Sequence, residues 1–385
     1  MRILLISTQD YIHHPVPSRH HYIFEELAKR HDVHVLHFHV SDSESRKTNL
    51  NVHEATMFSV KNPALHYLIN APYHFYVIDR VLERENIDIV VASHILAGYA
   101  AIRNAKKRGI PVIFDLKDWY PDSAAVYYKN RLMRKILYNS VLHVTLTNLR
   151  ESDVVTTVSP SLVDILRSFE IKPILITNGV DTSIFRPLDS AKGKRKLGYD
   201  EDDFVIGYVG SIERWIDLET VLYVVKRLRD EGIDVKFSII GKRLFTDYEN
   251  EVRSLVKKLE LESCVRFHGF IPYNDLPEYI AGMDICLIPF RRSPVSEVAL
   301  PNKFFEYTAC GKIILSTPLP DVIKINPGNV FFYSTYDELC NIVKQLLNMD
   351  RRELVKKIFL KINLYDYDWR TKAEEFEKIM FSLIK

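Results

Sequence analysis

Short apolar runs alternate along this chain with segments whose apolar residues recur every third or fourth position. The runs "RILLIS", "DVHVLHF", "IDIVVAS", "PVIFDL", "DVVTTVS" and "PILITN" read as one series of strands. A second series follows: "FVIGYVG", "VKFSIIG", "CVRFHGF", "DICLIPF", "KIILST" and "NVFFYS". Between them, "RHHYIFEELAKR" and "LETVLYVVKRLRDEG" carry the helical spacing. This alternation predicts parallel sheets with helices on both faces, and the runs suffice for two sheets. The boundary falls in the polar, turn-rich stretch from 177 to 200. Residues 1–180 form a first domain and 181–366 a second. The final helix, with Phe376, Ile379, Met380 and Leu383 on one face, returns to the first domain as 367–385. Open α/β sheets bind ligands beyond the carboxyl ends of their strands. Two sheets facing a cleft would therefore give two half-sites, built from the loops that follow the strands.

A length of 385 residues agrees with two domains. With 47% hydrophobic and 26% charged residues the composition is that of a globular protein, and a net charge of +2 gives no global case for nucleic acid. No run reaches the eighteen or so apolar residues of a membrane span, and "MRILLISTQD" reads as a first strand and not as a signal peptide. Cys264, Cys286, Cys310 and Cys340 match neither a zinc site nor a disulfide framework, so buried free thiols and a cytoplasmic location are expected.

The stretch "ALPNKFFEYTACGKIILSTP", residues 299–318, holds the most chemistry. Pro301 suits a first helical turn, where N–H groups point outward and favour an anion. Glu306 lies about one turn further in and can accept hydrogen bonds from hydroxyls, and Gly311 ends the helix. Together these make a cradle for a phosphate and a sugar ring.

The segments "VTTVSPSLVDIL", "PILITNGVDTSIFRP", "IGYVGSIERWIDLETV", "FSIIGK", "VRFHGFIPYNDLPEYIAGMDICLIPF" and "PNKFFEYTACGKIILST" follow one another in an order and spacing that resemble the retaining glycosyltransferases of the GT-B fold, family 4 type. The likeness covers residues 150 to 320 and is looser before that. It implies two Rossmann-like, doubly wound domains, an acceptor-binding one first and a nucleotide-sugar-binding one second. Gly210 would let backbone approach a diphosphate. Relatives often carry Arg next and a Lys several residues on, where this chain has Ser211 and Trp215 or Ile216; Arg214 and Lys303 are the candidate replacements. Glu306 matches the second Glu of the family's Glu-seven-residues-Glu motif and would hold the ribose. The first Glu falls on Val298, with Glu297 one residue away and placed for the sugar hydroxyls. Pro301, Asn302 and Lys303 would meet the diphosphate, Lys242 would face the same site, and the backbone near Phe270 and Ile271 would hold the base.

In the first domain the loop "STQDYIHHPVPSRHHYIFEEL" places Ser18 as a helix cap and Arg19 as a phosphate partner, where relatives often have a Gly-Gly pair. Its histidines, His13, His14, His20 and His21, lack metal-ligand spacing, and no metal site is read there. "VVASHILAGY" puts His94 at a strand end, and "VIFDLKDWYPDSA" does so for Lys117 and Asp118. Asp118, then His94, is the candidate for orienting or deprotonating the acceptor hydroxyl; capping the next helix is the plainer role for each. The resemblance implies attack from the face of the leaving diphosphate, without a protein nucleophile. Catalysis then rests on orientation and on stabilising leaving-group charge, with no cofactor and no required metal. Asp366 and Asp368 read as a cap.

Residues 127–149 join Lys129, Arg131, Arg134 and Lys135 to many aliphatic residues, a pattern that fits either peripheral contact with an anionic membrane or an interior helix. The expected function is transfer of a sugar from a nucleotide-diphosphate donor to a glycan or lipid-linked acceptor, with no nucleic-acid partner. The alternatives are a nucleotide-sugar 2-epimerase of the same fold and a degenerate, non-catalytic binding partner. A dehydrogenase is disfavoured because neither half shows Gly-x-Gly-x-x-Gly after its first strand.

Overall fold

The computed structural model describes residues 1–384 except 9, 15, 41–44, 61, 126–129, 245, 351, 352, 355 and 357–362. The chain divides into two compact units, Met1–Asn178 with Trp369–Lys385, and Gly179–Asp368.

The first unit holds strands β1 (Arg2–Ile6), β2 (Asp32–His37), β3 (Asn51–Glu54), β4 (Ile89–Ala92), β5 (Val112–Leu116), β6 (Val154–Thr157) and β7 (Ile174–Leu175). They form one parallel sheet in the order β3-β2-β1-β4-β5-β6-β7. Its helices are α1 (Arg19–Leu27), α2 (Pro63–Arg84), α3 (Ile95–Lys106), α4 (Tyr120–Ala125), α5 (Arg131–Glu151) and α6 (Pro160–Ser168). A parallel sheet covered on both faces needs apolar residues at consecutive positions. That is why "IVVA" of β4 and "VIFDL" of β5 are buried throughout. Strand β3 is absent from the sequence-based expectation. Its "NVHE" is an exposed edge with no alternation to read.

The C-terminal helix, Trp369–Leu383, belongs to this first unit. Its Ala373, Phe376 and Met380 join Ile23, Phe24 and Leu27 of α1 in one core over β1, β2 and β4. Trp369 stacks on Tyr22 with centroids 5.2 Å apart, and Glu377 pairs with Arg30 at 3.1 Å.

The second unit contains α7 (Ser190–Leu197), β8 (Phe204–Val209), α8 (Leu218–Asp230), β9 (Val235–Ile240), α9 (Tyr248–Lys258), β10 (Val265–Gly269), α10 (Leu276–Ala281), β11 (Ile285–Ile288), α11 (Asn302–Ala309), β12 (Ile313–Ser316), α12 (Pro320–Ile325), β13 (Val330–Phe332) and α13 (Tyr336–Leu347). The sheet is parallel, in the order β10-β9-β8-β11-β12-β13. Side chains alternate across it: Phe204, Ile206 and Tyr208 enter one core, Val205 and Val209 the other. The chain enters and leaves this unit side by side, with Val180 N–H donating to Tyr367 O at 2.8 Å. Asp368, expected as a cap, accepts from the backbone N–H and hydroxyl of Thr182 at this crossing. Asp366 accepts from the Asn363 side chain.

Each strand order reverses once, between β1 and β4 in the first sheet and between β8 and β11 in the second. These are the topological switch points where doubly wound sheets open a ligand crevice.

Candidate functional site

At the second switch point, β8 ends in Tyr208, Val209 and Gly210. Gly210 has a φ of 146°, and a Cβ there would stand 2.6 Å from the Lys303 ammonium. Gly241, after β9, has a φ of 129° and lies so close that its Cβ would meet the Gly210 carbonyl oxygen at 1.9 Å. Both positions therefore require glycine. Tyr208 donates its hydroxyl to Ser211 O at 2.7 Å. Lys303 Nζ donates to the same hydroxyl at 3.3 Å and sits 4.3 Å from the Tyr208 ring centre.

Helix α11 supplies Lys303 and Glu306. Pro301 is its N-cap, one position earlier than expected, with φ −72° and ψ 139°, and no side chain caps the helix start. At the far end Gly311 adopts a φ of 73°. Gly311 N–H bonds to Thr308 O and Lys312 N–H to Tyr307 O, both at 3.0 Å, which is the Schellman arrangement. Phe304, Phe305 and Tyr307 are buried, each apolar ring contributing about 1.5–3 kcal/mol. The Tyr307 hydroxyl accepts from Val209 N–H at 2.9 Å, fastening the helix to the end of β8.

Glu306 is 8% exposed. Burial pushes its carboxyl up to about 7, against a hydrogen bond from the Tyr273 hydroxyl at 3.0 Å and the charge of Lys303. Burial likewise draws the Lys303 ammonium down to about 8, opposed by Glu306. Asn302 Oδ1 is buried and has no partner among the described residues. Here an uncapped helix start, a cation, a carboxylate and a close-approach glycine converge at one switch point, the equipment for holding a phosphate and an adjoining hydroxylated ring.

The other donor-side candidates spread around this centre. Arg214 is exposed and pairs with Glu251 of α9, so the structure does not bring it to Lys303. Lys242 is exposed, with its ammonium 5.3 Å from the Phe270 ring centre. Ile271 packs at the margin of the core that contains Phe304 and Phe305. Glu297 pairs with Arg292 at 2.9 Å. Tyr273, Tyr208 and Tyr307 escaped the sequence reading. The one available signal was the position of Tyr273 in "IPYNDL", beside the expected base contacts.

In the first unit, Ser18 caps α1 and its N–H donates to His21 Nδ1 at 2.9 Å. Arg19 does not reach outward toward an anion. It is buried against Asp115, with Nε 3.0 Å from Oδ2, and donates to Thr177 O at 2.8 Å. Burial opposes ionisation of Asp115, yet Arg19, His20 and the Thr156 hydroxyl hold its carboxyl well below the usual carboxylate range. Burial holds His20 neutral, at about 4. The Asp115 carboxylate can only accept, which puts the His20 proton on Nε2, 3.0 Å from Oδ2. Nδ1 then accepts from the Ser7 hydroxyl at 3.0 Å. The linkage has the connectivity of a hydrolase triad, but all three side chains are sealed from solvent, so no substrate atom reaches Ser7.

Lys117 follows β5, half-buried, and burial draws its ammonium to about 8 against the pull of Asp115 and Asp118. Asp118 beside it is exposed. His94 is buried as the N-cap of α3, with Nδ1 accepting from Ala97 N–H at 3.1 Å, and burial pushes it down to about 3. Asp115 went unnamed in the sequence reading, although a charge inside the apolar run "VIFDL" is itself a signal of a buried partner.

Helix α5 exposes Leu132, Met133 and Ile136 among Arg131, Arg134 and Lys135. Lys129 lies outside the described residues. No helix among the described residues is long and apolar enough to cross a membrane. All four cysteines are buried and free.

Two doubly wound parallel sheets, of seven and six strands and each with one switch point, define the GT-B class of fold. The family model for Glycosyltransferase Family 4 matches residues 20–184, and that for Glycosyl transferases group 1 matches residues 203–349. The chain belongs to this glycosyltransferase family. It is 25% identical over 228 residues to a putative teichuronic acid biosynthesis glycosyltransferase, TuaH, of Bacillus subtilis (strain 168), a match covering 58% of this chain and 54% of that one. A D-inositol 3-phosphate glycosyltransferase of Stackebrandtia nassauensis is 26% identical over 176 residues, 43% of this chain and 39% of the other. The chain thus spans about half or less of the length of these curated relatives. Among solved structures, sucrose-phosphate synthase from Thermosynechococcus elongatus superposes with a TM-score of 0.77 at 17% identity, covering 99% of this chain and 98% of the other. Anabaena HepE, solved in complex with UDP, gives 0.74 at 18% identity, with coverage of 99% and 100%.

Proposed function

We propose that this chain transfers a sugar, with retention of anomeric configuration, from a nucleoside-diphosphate donor to a glycan or lipid-linked acceptor. The observation that carries the reading is the placement of buried Glu306 and of Lys303 on α11, with the Lys303 ammonium against the positive-φ Gly210. The Lys303 ammonium and the uncapped start of α11 meet the diphosphate, and the Glu306 carboxylate accepts from ribose hydroxyls. The solved complexes of HepE with UDP and with UDP-glucose support a donor of this class.

In the reaction the acceptor oxygen bonds to the anomeric carbon, the sugar–phosphate bond breaks, and the acceptor proton passes to the departing diphosphate. Lys303 stabilises the charge that develops there, so transfer needs no metal. Asp118, exposed at the end of β5, orients the acceptor hydroxyl. His94 is suited to fixing the start of α3, since its Nδ1 is engaged and its imidazole stays neutral. The exposed aliphatic and basic residues of α5 give a lipid-linked acceptor a surface to approach along.

Incubation with a mixed nucleotide-sugar pool, followed by identification of the nucleotide released, tests the reading and names the base. Titration with the matching nucleoside diphosphate should show Lys303→Met weakening binding by roughly 10- to 100-fold, the worth of a charge-assisted hydrogen bond. Binding of no nucleotide, or equal binding by this variant, would refute the proposal. Binding of NAD would restore the dehydrogenase alternative.

A further inference from the structure

Away from the nucleotide site, three side chains of the first unit converge beyond the carboxyl ends of its strands. Asp10 and His13 lie in the loop after β1, and His37 is the last residue of β2. Asp10 Oδ1 is 3.1 Å from His37 Nε2 and 3.5 Å from His13 Nδ1, and the two ring nitrogens are 3.2 Å apart. Asp10 and His37 are buried, and His13 is half-buried. We propose that this triangle binds one zinc ion through two imidazoles and a carboxylate.

The spacing is the first argument. A tetrahedral zinc ion with bonds of about 2.0–2.1 Å separates its ligand atoms by about 3.3–3.4 Å. The observed triangle accepts such an ion with shifts of a few tenths of an ångström. The outer contacts are the second. His37 Nδ1 lies 2.8 Å from Glu54 Oε2, the carboxylate–histidine support that leaves Nε2 as the ligand atom. Asp10 is oriented by Val40 N–H on Oδ2 at 3.0 Å, and by the Ile12 and His13 N–H groups on Oδ1 at 3.1 and 2.9 Å. The exposed ring of His39 stacks on His13 at 4.6 Å. Two imidazole nitrogens and one oxygen select zinc over magnesium or calcium, which favour oxygen shells.

The same contacts have an ion-free solution, a proton on each His37 nitrogen. Burial disfavours that imidazolium, while hydrogen bonds to Asp10 and Glu54 restore it, to about 9. Zinc replaces the Nε2 proton and ties the loop before α1 to the end of β2. Three protein ligands leave the fourth position to water, and the site is independent of the sugar-transfer reading.

The test is titration of the EDTA-treated full chain with Co²⁺, followed by Zn²⁺. One equivalent of Co²⁺ should give visible absorption that one equivalent of Zn²⁺ abolishes. His37→Ala and His13→Gln should each lose it, and Glu54→Gln should weaken it by about 10- to 100-fold. His143→Ala, at an exposed histidine of α5, should leave it unchanged. Far-UV circular dichroism of His13→Gln separates a lost ligand from a lost fold. Absence of stoichiometric uptake, or full uptake by a natively folded His13→Gln, would overturn the site in favour of the protonated cluster.

Discussion

Replacing Glu306 by glutamine should stabilise the free protein while abolishing its affinity for nucleoside diphosphate. The carboxyl is held at about 7 against an ordinary 4.5, so the fold favours its protonated form. Stability from that preference is complete below about pH 4.5 and is lost as pH rises through about 7. The difference corresponds to about 3 kcal/mol of ionisation cost at pH 8. Glutamine keeps the shape and still accepts the Tyr273 hydroxyl, but never ionises. Urea unfolding should therefore show Glu306→Gln more stable by about 1–3 kcal/mol at pH 8, with the gain vanishing near pH 4.5. Lys303 acts in the opposite sense. Its pKa is depressed from 10.5 to about 8, so its contribution is full above about 10.5 and falls away as pH drops through about 8. The free site is thus least comfortable between pH 7 and 8, where both groups are charged and both are needed for the proposed ligand. Calorimetric titration at pH 8 supplies the other half of the test. A glutamine variant that is less stable at pH 8, or that binds as tightly as the original, would refute the reasoning.

Asp115→Asn leaves the Arg19 guanidinium buried beside a neutral amide, and removing one partner of such a pair costs about 3–5 kcal/mol; urea unfolding at pH 7 measures it. Because the Asp115 carboxyl is depressed, its contribution is present above its ordinary 3.8 and is lost as pH falls below that value, so the variant should flatten the acid limb of the stability curve. Vesicles containing anionic lipid should retain the protein at low salt and release it at high salt. Serine at Leu132 and Ile136 should weaken that retention, whereas equal binding to neutral vesicles would remove the basic residues of α5 from the explanation.

Strands and helices with a strong apolar period were legible because burial on both faces writes itself into consecutive positions. Helix α11 was legible for another reason: proline before it, glycine after it and a charged pair inside it are each demanded by backbone geometry. Strand β3 carried no such imprint, since an exposed edge is satisfied by polar residues. Arg19, expected to pair with a phosphate, is instead held by Asp115, 96 positions away, a distance across which no spacing rule operates. The triangle of Asp10, His13 and His37 escaped for the same reason, because β1 and β2 become neighbours only once the sheet has formed. Tyr273 bonds to Glu306 from a short 3-10 turn, Tyr273–Asp275, whose position only the fold determines.

The C-terminal helix has a consequence for the order of assembly. Tyr22 and Phe24 lie against Trp369 and Phe376, residues synthesised only after the whole second unit. The middle portion of the chain can complete its own sheet while synthesis continues, but the opening segment must wait with part of its oily surface uncovered. A polypeptide cut short after Asp368 would keep a finished second unit yet present that uncovered stripe to chaperones and proteases. Loss of this helix should therefore be felt first at α1, which it covers.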